Sequence, residues 1–161
     1  MNRPARPAAR AVLADPLHCL AFGGGSGLLP YAPGTAGTLV ALPVFMLLQP
    51  LSLPLYIAAV GALLMVGVWI CGRASVALGV HDHSGIVWDE IVGYLVTMLA
   101  APDGWGWTLA GFVLFRLFDI AKPWPASLVD RKVGGGAGIM LDDIVAGVYG
   151  LITIQTLAVV F

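Results

Sequence analysis

The chain has 161 residues, a length that allows one domain; 59% of its residues are hydrophobic and only 11% are charged. Soluble domains carry about 25% charged residues, and the mean hydropathy of this chain is +0.92, so the composition predicts a membrane protein. The formal net charge of -1 gives no basic face of the kind that binds nucleic acid. The cysteines Cys19 and Cys71 lack metal-type spacing and are interpreted as free thiols in apolar surroundings.

The N-terminal stretch combines arginines with alanine and proline but has no apolar core, so it does not resemble a cleaved signal peptide. We predict a flexible cytosolic tail over residues 1–16 and one membrane domain over residues 17–161. The glycine-rich segment Gly23 to Gly27 cannot remain helical at low cost. The first apolar run, Thr38 to Leu48, covers about half of a hydrocarbon core of roughly 30 Å, so it is kept as a span or as part of a hairpin.

Four more apolar runs follow the first. They are Leu53 to Ile70, Val87 to Ala101, a run that ends at Ile120, and Ile144 to Phe161. With five crossings and a cytosolic N-terminus, every lysine and arginine lies on one side of the membrane or at its border, in agreement with the positive-inside rule. The sequence therefore predicts an all-α, polytopic helical membrane protein with about four to five membrane-associated helices and a site on the cytosolic side.

Carboxylates stand at the ends of three of these runs, where helix packing could bring them into one pocket. Mg²⁺ prefers such oxygen ligands together with water and substrate phosphate oxygens, and ionisable groups at membrane depth are usually functional. Solvated acids favoured by a helix dipole are the alternative interpretation. Neighbouring residues on a helix diverge by about 100°, so one member of each adjacent pair is expected to bind metal and the other to pair with a base. The predicted metal ligands are Asp89, Glu90, Asp119, Asp142 and Asp143.

Two histidines and an aspartate precede the first acidic pair. His81 is a candidate general acid or base near neutral pH, and His83 is equally well interpreted as a plain loop histidine. Asp82 could be a metal ligand or a nucleophile, and its spacing does not choose between the two roles. The predicted catalytic residues are His81, Asp82, Asp89 and Asp143.

Few basic residues are available to bind a phosphate group. Lys122 and Arg131 are the predicted phosphate partners, with pairing to local acids or to anionic lipid as the alternative. Arg116 stands three residues before Asp119 and is interpreted as its ion-pair partner on one helix face.

Two hydroxyl residues near glycines are the remaining candidates for phosphate binding. Ser26 lies in the glycine-rich segment, and Thr35 lies close to the start of the first apolar run. Backbone N–H groups at such a helix N-terminus can bind phosphate, although a flexible turn at the membrane surface would have the same composition. No Gly-Lys-Ser/Thr follows the glycines, so this is not a Walker A loop.

Longer motifs extend through most of the chain. In order they are Gly-Ser-Gly at 25–27, Pro-Gly-Thr-Ala-Gly-Thr at 33–38, His-Asp-His at 81–83, Ile-Val-Trp-Asp-Glu at 86–90, Phe-Arg-Leu-Phe-Asp at 115–119, Lys-Pro-Trp-Pro at 122–125, Asp-Arg at 130–131 and Gly-Ile-Met-Leu-Asp-Asp-Ile-Val-Ala-Gly at 138–147. This order closely resembles the phosphatidylglycerophosphatase A family, over nearly the whole chain from Leu17 onward.

The resemblance implies a magnesium-dependent phosphatase of the bacterial inner membrane, multi-pass, with its active site toward the cytoplasm. Such an enzyme converts phosphatidylglycerophosphate to phosphatidylglycerol and phosphate in phospholipid biosynthesis. The expected partners are this substrate and membrane lipids, and no obligate protein partner is evident. The acidic positions of the family's motifs fall here on Asp82, Asp89, Glu90, Asp119, Asp130, Asp142 and Asp143.

Two other functions remain as alternatives on the residues alone. The acids could form a relay in a small ion- or proton-pathway protein, or the chain could be a lipid-binding module without catalysis. The acids cluster at one face instead of being distributed through the bilayer, which favours the phosphatase. Neither the residues nor the resemblance chooses between direct attack by water and a phosphorylated aspartate.

Overall fold

The computed structural model describes residues 7–80, 83–125, 128 and 133–160. Every regular element within these residues is helical, which confirms the predicted all-α class. In chain order the elements are α1 (Ala9–Ala14), α2 (Pro16–Ala21), a 3-10 segment (Gly23–Leu28), α3 (Pro33–Leu48), α4 (Leu53–Leu78), α5 (Trp88–Thr97), α6 (Trp105–Ala121) and α7 (Gly135–Val160).

Two short helices and a glycine-rich turn precede the long helices. Val12 of α1 is buried, and Asp15 caps α2 by accepting a hydrogen bond from the backbone N–H of Leu17 at 2.9 Å. Residues 9–14 thus form a helix with one buried side chain, although they lie in the stretch that the sequence predicts as a flexible tail. In the 3-10 segment Gly24 and Gly25 have φ angles of 68° and 100°, which residues with side chains rarely adopt.

The helices α3 to α7 alternate in direction. Near the start of α7, the backbone of Gly136 lies against Gly72 in the last third of α4. Near the other end of α7, Gln155 donates a hydrogen bond to the carbonyl of Leu99, just beyond α5. At that same end Gln49, which follows α3, donates a hydrogen bond to Asp103 at 2.6 Å. We refer to this as the far end of the bundle and to the end with the start of α7 as the site end.

Among the described residues, two helices are long and apolar enough to cross a membrane, α4 and α7, with 26 residues each. Each would extend about 39 Å at the usual rise per residue. In the most apolar 18-residue stretch of each helix, only 22% of α4 and 28% of α7 is buried within the bundle. The core helix of a soluble protein, in contrast, is mostly buried. Apolar side chains exposed in this way are suited to contact with lipid.

The remaining long helices are shorter than a bilayer requires. α3 and α6 have 16 and 17 residues. The apolar run predicted from Val87 to Ala101 forms only the ten-residue helix α5, about 15 Å long. The chain leaves the helix after Thr97, and Ala100 has a positive φ of 54°, so the run does not continue as one spanning helix. α5 instead lies in the core, with Val92, Tyr94 and Leu95 fully buried.

Candidate active site

Three carboxylates converge at the site end of the bundle. Asp89 and Glu90 lie in the first turn of α5, Asp143 lies in α7, and oxygen atoms of all three lie within 4.8 Å of one another. Glu90 Oε2 and Asp143 Oδ2 are buried and have no hydrogen-bond partner within the described part of the chain. Buried charges of one sign are costly unless a cation compensates them. A hard divalent cation fits this set of oxygen donors.

Close contact between two helices brings the carboxylates together. A Cβ on Gly147 of α7 would lie 2.5 Å from the backbone oxygen of Gly93 in α5, and a Cβ on Gly93 would lie 2.8 Å from the backbone oxygen of Asp143. Any other residue at these positions would push the helices apart. The two glycines therefore set the distance between the α5 acids and Asp143.

Two further predicted ligands surround this cluster, and each contacts a basic residue. Asp119, near the end of α6, forms an ion pair with Arg116 and lies within hydrogen-bonding reach of Asp143. Asp142 is buried and forms an ion pair with Lys122, which follows α6. All five predicted metal ligands are thus gathered at the site end.

The two adjacent pairs of acids behave differently. Asp142 and Asp143 diverge as expected, because Asp142 contacts Lys122 and Asp143 faces the α5 acids. Asp89 and Glu90 do not diverge: the side chains bend into contact with each other, and both face Asp143. Glu90 carries one more methylene group than aspartate, which lets its carboxyl group reach back to the same point. Glu90 also lies close to Arg116, so which acid of this pair binds metal and which pairs with a base stays a prediction.

The surroundings of Glu90 disfavour the ionised form of its carboxyl group. Burial raises the pKa of the Glu90 carboxyl to about 8. A hydrogen bond with Asp89 and the charge of Arg116 lower this pKa, whereas the charges of Asp143 and Asp119 raise it. A divalent cation among these oxygens would reverse the shift by favouring the ionised carboxylates.

The N-terminus of α3 closes another side of the site. A Cβ on Gly34 would overlap Glu90 Oε1 and would lie 3.0 Å from Arg116 Nη1. The backbone at Gly34 is thereby held against an acid of the cluster and against the guanidinium group. Thr35, a predicted phosphate-binding residue, follows in the same turn and is partly exposed.

Arg116 was interpreted from the sequence only as the partner of Asp119. The ion pair is present, but the guanidinium group also contacts the α3 terminus and lies close to Glu90. A signal for this wider role was available, because a lone arginine inside an apolar run is expensive in a membrane. The sequence does not reveal that α3 begins beside it.

The remaining candidates divide into two groups. The Ser26 hydroxyl donates to the carbonyl of Phe22 at 3.4 Å, within its own turn. His83 is buried, and its Nδ1 accepts a hydrogen bond from the Gly85 N–H at 3.0 Å, as expected of a loop histidine. His83 and Pro33 line a pocket of about 520 Å³ beside the start of α3. The candidates outside the described residues are His81, Asp82, Asp130 and Arg131.

Known proteins resemble this chain along most of its length. The sequence model of the family described as Phosphatidylglycerophosphatase A matches residues 19–158. A protein of that name from Escherichia coli (strain K12) is 49% identical over 140 residues, which cover 86% of this chain and 81% of the relative. A protein of the same name from Haemophilus influenzae is 41% identical over 150 residues, which cover 92% of each chain.

A third relative has a different name. It comes from Bacteroides thetaiotaomicron, carries the provisional name phosphatidylinositol-3-phosphatase, and is 40% identical over 140 residues, which cover 82% of this chain and 87% of the relative. No solved structure matches the chain. The matched region contains Asp89, Glu90, Asp119, Asp142 and Asp143 and the two basic residues that the described part of the site contains, Arg116 and Lys122. On this match and these identities, the chain belongs to the phosphatidylglycerophosphatase A family of phosphatases.

Proposed function

We propose that this protein is a magnesium-dependent phosphatase that hydrolyses phosphatidylglycerophosphate to phosphatidylglycerol and phosphate. The observation that carries the proposal is the convergence of Asp89, Glu90 and Asp143 beside two basic side chains. Family membership supports the reaction, and the two relatives from Escherichia coli and Haemophilus influenzae are named for it.

The converging carboxylates would hold the metal ion. Asp89, Glu90 and Asp143 supply oxygen atoms at one point, Asp119 adjoins them, and Asp142 is oriented by Lys122. When bound, a divalent cation supplies Lewis-acid stabilisation of the charge on the phosphoryl group. The acids, of which Asp89, Asp142 and Asp143 are buried, would thereby place a compensating positive charge where the phosphate binds.

The protein's other residues bind and orient the substrate. Lys122, Arg131, Thr35 and Ser26 are proposed to contact the phosphate, and His81 is proposed to transfer a proton. In the reaction a bond forms between phosphorus and the attacking oxygen, the bond from phosphorus to the glycerol oxygen breaks, and that oxygen takes up a proton.

The attacking group is either water or a carboxylate such as Asp82. Rapid acid quenching with radiolabelled substrate separates the two routes. Labelled protein trapped during turnover would support attack by a carboxylate. Free phosphate as the only labelled product at the earliest times would support direct attack by water.

The arrangement of the helices supports a multi-pass protein of the bacterial inner membrane. We propose that α3, α5 and α6 lie in the membrane with the spanning helices α4 and α7, and that residues 17–161 form this membrane domain behind the tail 1–16. The site end would face the cytoplasm, in accord with the positive-inside rule. Asp143 lies eight residues into α7, about 12 Å along the helix, so the terminal phosphate would enter a recess while the acyl chains stay in the bilayer.

A panel of lipids tests the proposed substrate. Purified full-length protein is given phosphatidylglycerophosphate, phosphatidic acid or phosphatidylinositol 3-phosphate in detergent micelles with Mg²⁺, and phosphate release is measured. We expect phosphatidylglycerophosphate to react at least about ten times faster than the others, since its headgroup alone offers both the terminal monoester and a glycerol leaving group. A faster reaction of the inositol lipid would assign the substrate class suggested by the Bacteroides relative's name.

The alternative function requires its own readout. If folded protein releases no phosphate from any of these lipids, the ion- or proton-pathway function becomes the better account of the buried acids. Proton flux into liposomes that contain the protein would then support it.

A further inference from the structure

We propose that Arg116 and the first turn of α3 form the site that binds the phosphoryl oxygens of the phosphate monoester. This inference rests on the proposed function, because it names the residues that recognise the phosphate at the same site. It makes Arg116 the main cationic ligand of the phosphate, in place of the more exposed Lys122.

The first observation is the position and bonding of Arg116. Its side chain is only 15% exposed, and its ion pair with Asp119 uses Nη1. The Nε atom is buried and has no hydrogen-bond partner within the described residues. A guanidinium group has five N–H donors in a rigid planar fork, and a buried donor without an acceptor is costly. The group therefore keeps a buried N–H donor that no acceptor within the described residues satisfies.

The second observation is the start of α3, which lies against the same guanidinium group. The helix begins at Pro33, which has no N–H, and Ala32 makes no side-chain capping hydrogen bond. Helix geometry leaves the N–H groups of Gly34 and Thr35 without acceptors in the helix itself. These groups and the helix dipole favour an anion at this end.

The third observation is how closely the Gly34 backbone packs against both the acid cluster and Arg116. A Cβ at this position would overlap Glu90 Oε1 and lie 3.0 Å from Arg116 Nη1. The missing side chain lets the α3 backbone, the guanidinium group and the acid cluster meet at one point. A phosphate bound beside this meeting point would accept hydrogen bonds from the guanidinium group and from the N–H groups of α3, and the neighbouring carboxylates would hold the cation.

Lys122 is less well placed for this role. Its side chain is 33% exposed and forms an ion pair with buried Asp142, so part of its charge is used to compensate that acid. An ammonium group is also a point charge without the planar fork that matches two phosphate oxygens. We assign Lys122 to the mouth of the site and Arg116 to its interior.

Direct binding of inorganic phosphate tests the inference. The variants are Arg116→Lys and Arg116→Ala in the full-length protein, and Arg10→Ala, at an exposed arginine of α1, is the matched control. Phosphate affinity with Mg²⁺ present and Mg²⁺ affinity alone are measured by titration calorimetry in detergent.

We expect both Arg116 variants to bind phosphate at least about tenfold more weakly, since they lose charge-assisted hydrogen bonds. Their Mg²⁺ affinity should stay equal or rise, because a positive charge beside the acids is removed or displaced. The lysine variant should retain more affinity than the alanine variant, and added guanidinium ion should restore part of the affinity of Arg116→Ala.

The role of the α3 backbone in phosphate binding is tested by the variant Gly34→Ala, with Gly106→Ala as its control. Both glycines are the second residue of a helix, but a Cβ on Gly106 would meet nothing within 4 Å. We expect Gly34→Ala to weaken phosphate binding about tenfold or more and Gly106→Ala to leave it unchanged. If Arg116→Ala does not fold, Arg116→Lys and Gly34→Ala still give the comparison.

Two results would overturn the inference. One is phosphate affinity within about twofold of the wild type in the Arg116 and Gly34 variants. The other is a joint loss of phosphate and Mg²⁺ affinity, which would show that Arg116 only holds the acids in place. Phosphate release from the lipid by the wild-type protein tests the proposed function separately. The phosphatase function and the phosphate-binding role of Arg116 can therefore fail independently.

Discussion

Gly147 of α7 lies against the backbone carbonyl of Gly93 of α5, so closely that a Cβ at position 147 would stand 2.5 Å from that oxygen. Each glycine follows an acid of the cluster by four residues, Gly93 after Asp89 and Gly147 after Asp143, which is about one helical turn. The contact between backbones and the convergence of carboxylates are therefore parts of one helix crossing.

Replacement of Gly147 by alanine tests this relationship. The added methyl group must move one helix, and such overpacking costs about 1–3 kcal/mol. We expect the thermal unfolding midpoint of Gly147→Ala to fall and its phosphate release to fall about tenfold or more, because a shift of 1 Å at a catalytic site can cost 100-fold. Gly61→Ala in α4, where a Cβ meets nothing within 4 Å, should change neither. Wild-type activity in Gly147→Ala would show that the crossing does not set the geometry of the acids.

The three converging carboxylates are expected to act together in metal binding. Asp89→Asn, Glu90→Gln and Asp143→Asn should each reduce phosphate release by about 100-fold and reduce the rise in unfolding midpoint that Mg²⁺ produces in the wild type. Asp103→Asn, at the exposed far end of the bundle, should behave as the wild type. Full turnover in both Asp89→Asn and Asp143→Asn would remove these residues from the site.

Lys122 and Asp142 are expected to contribute as a pair. Lys122→Gln should lower phosphate release about tenfold, since it leaves the buried Asp142 carboxylate without its ammonium partner. The double variant Lys122→Gln with Asp142→Asn should lose less activity than the product of the two single effects, because residues in contact are not additive. Strictly multiplicative losses in this double-mutant cycle would mean that the ion pair has no part in the activity.

The orientation in the membrane can be read from cysteine labelling. Cys19 and Cys71 are first replaced by serine, and Ser84→Cys or Asp103→Cys is then introduced at an exposed position of the site end or the far end. A membrane-impermeant maleimide should label Asp103→Cys in spheroplasts and Ser84→Cys only in inverted vesicles. Labelling of Ser84→Cys in spheroplasts would place the site end on the periplasmic side.

Much of the site could be predicted because charge is so rare in this chain. In a sequence with 11% charged residues, acids at the ends of apolar runs stand out, and the cost of burying them points to a cation. Asp142 also meets a base, as predicted, because adjacent residues on α7 face different ways. The helical class follows equally directly from the apolar composition, since a chain within lipid must satisfy its own backbone hydrogen bonds.

The parts that escaped prediction depend on contacts between distant segments. Nothing near Arg116 in the sequence indicates that Gly34 lies beside its guanidinium group. Hydropathy alone also did not reveal that α5 ends at Thr97, because the apolar residues beyond it form a turn. The convergence of Asp89 and Glu90 depends on side-chain conformations that a helical wheel does not describe.

The most direct test of the account is phosphate release from phosphatidylglycerophosphate by purified protein in detergent, measured with Mg²⁺, with EDTA, and after Mg²⁺ is restored. We predict release with Mg²⁺, loss of release with EDTA and recovery on restoration, with Asp89→Asn inactive throughout and Asp103→Asn active. Release that continues undiminished in EDTA from protein shown to be free of metal would contradict a metal-dependent reaction. No release from folded protein under any of these conditions would contradict the phosphatase function.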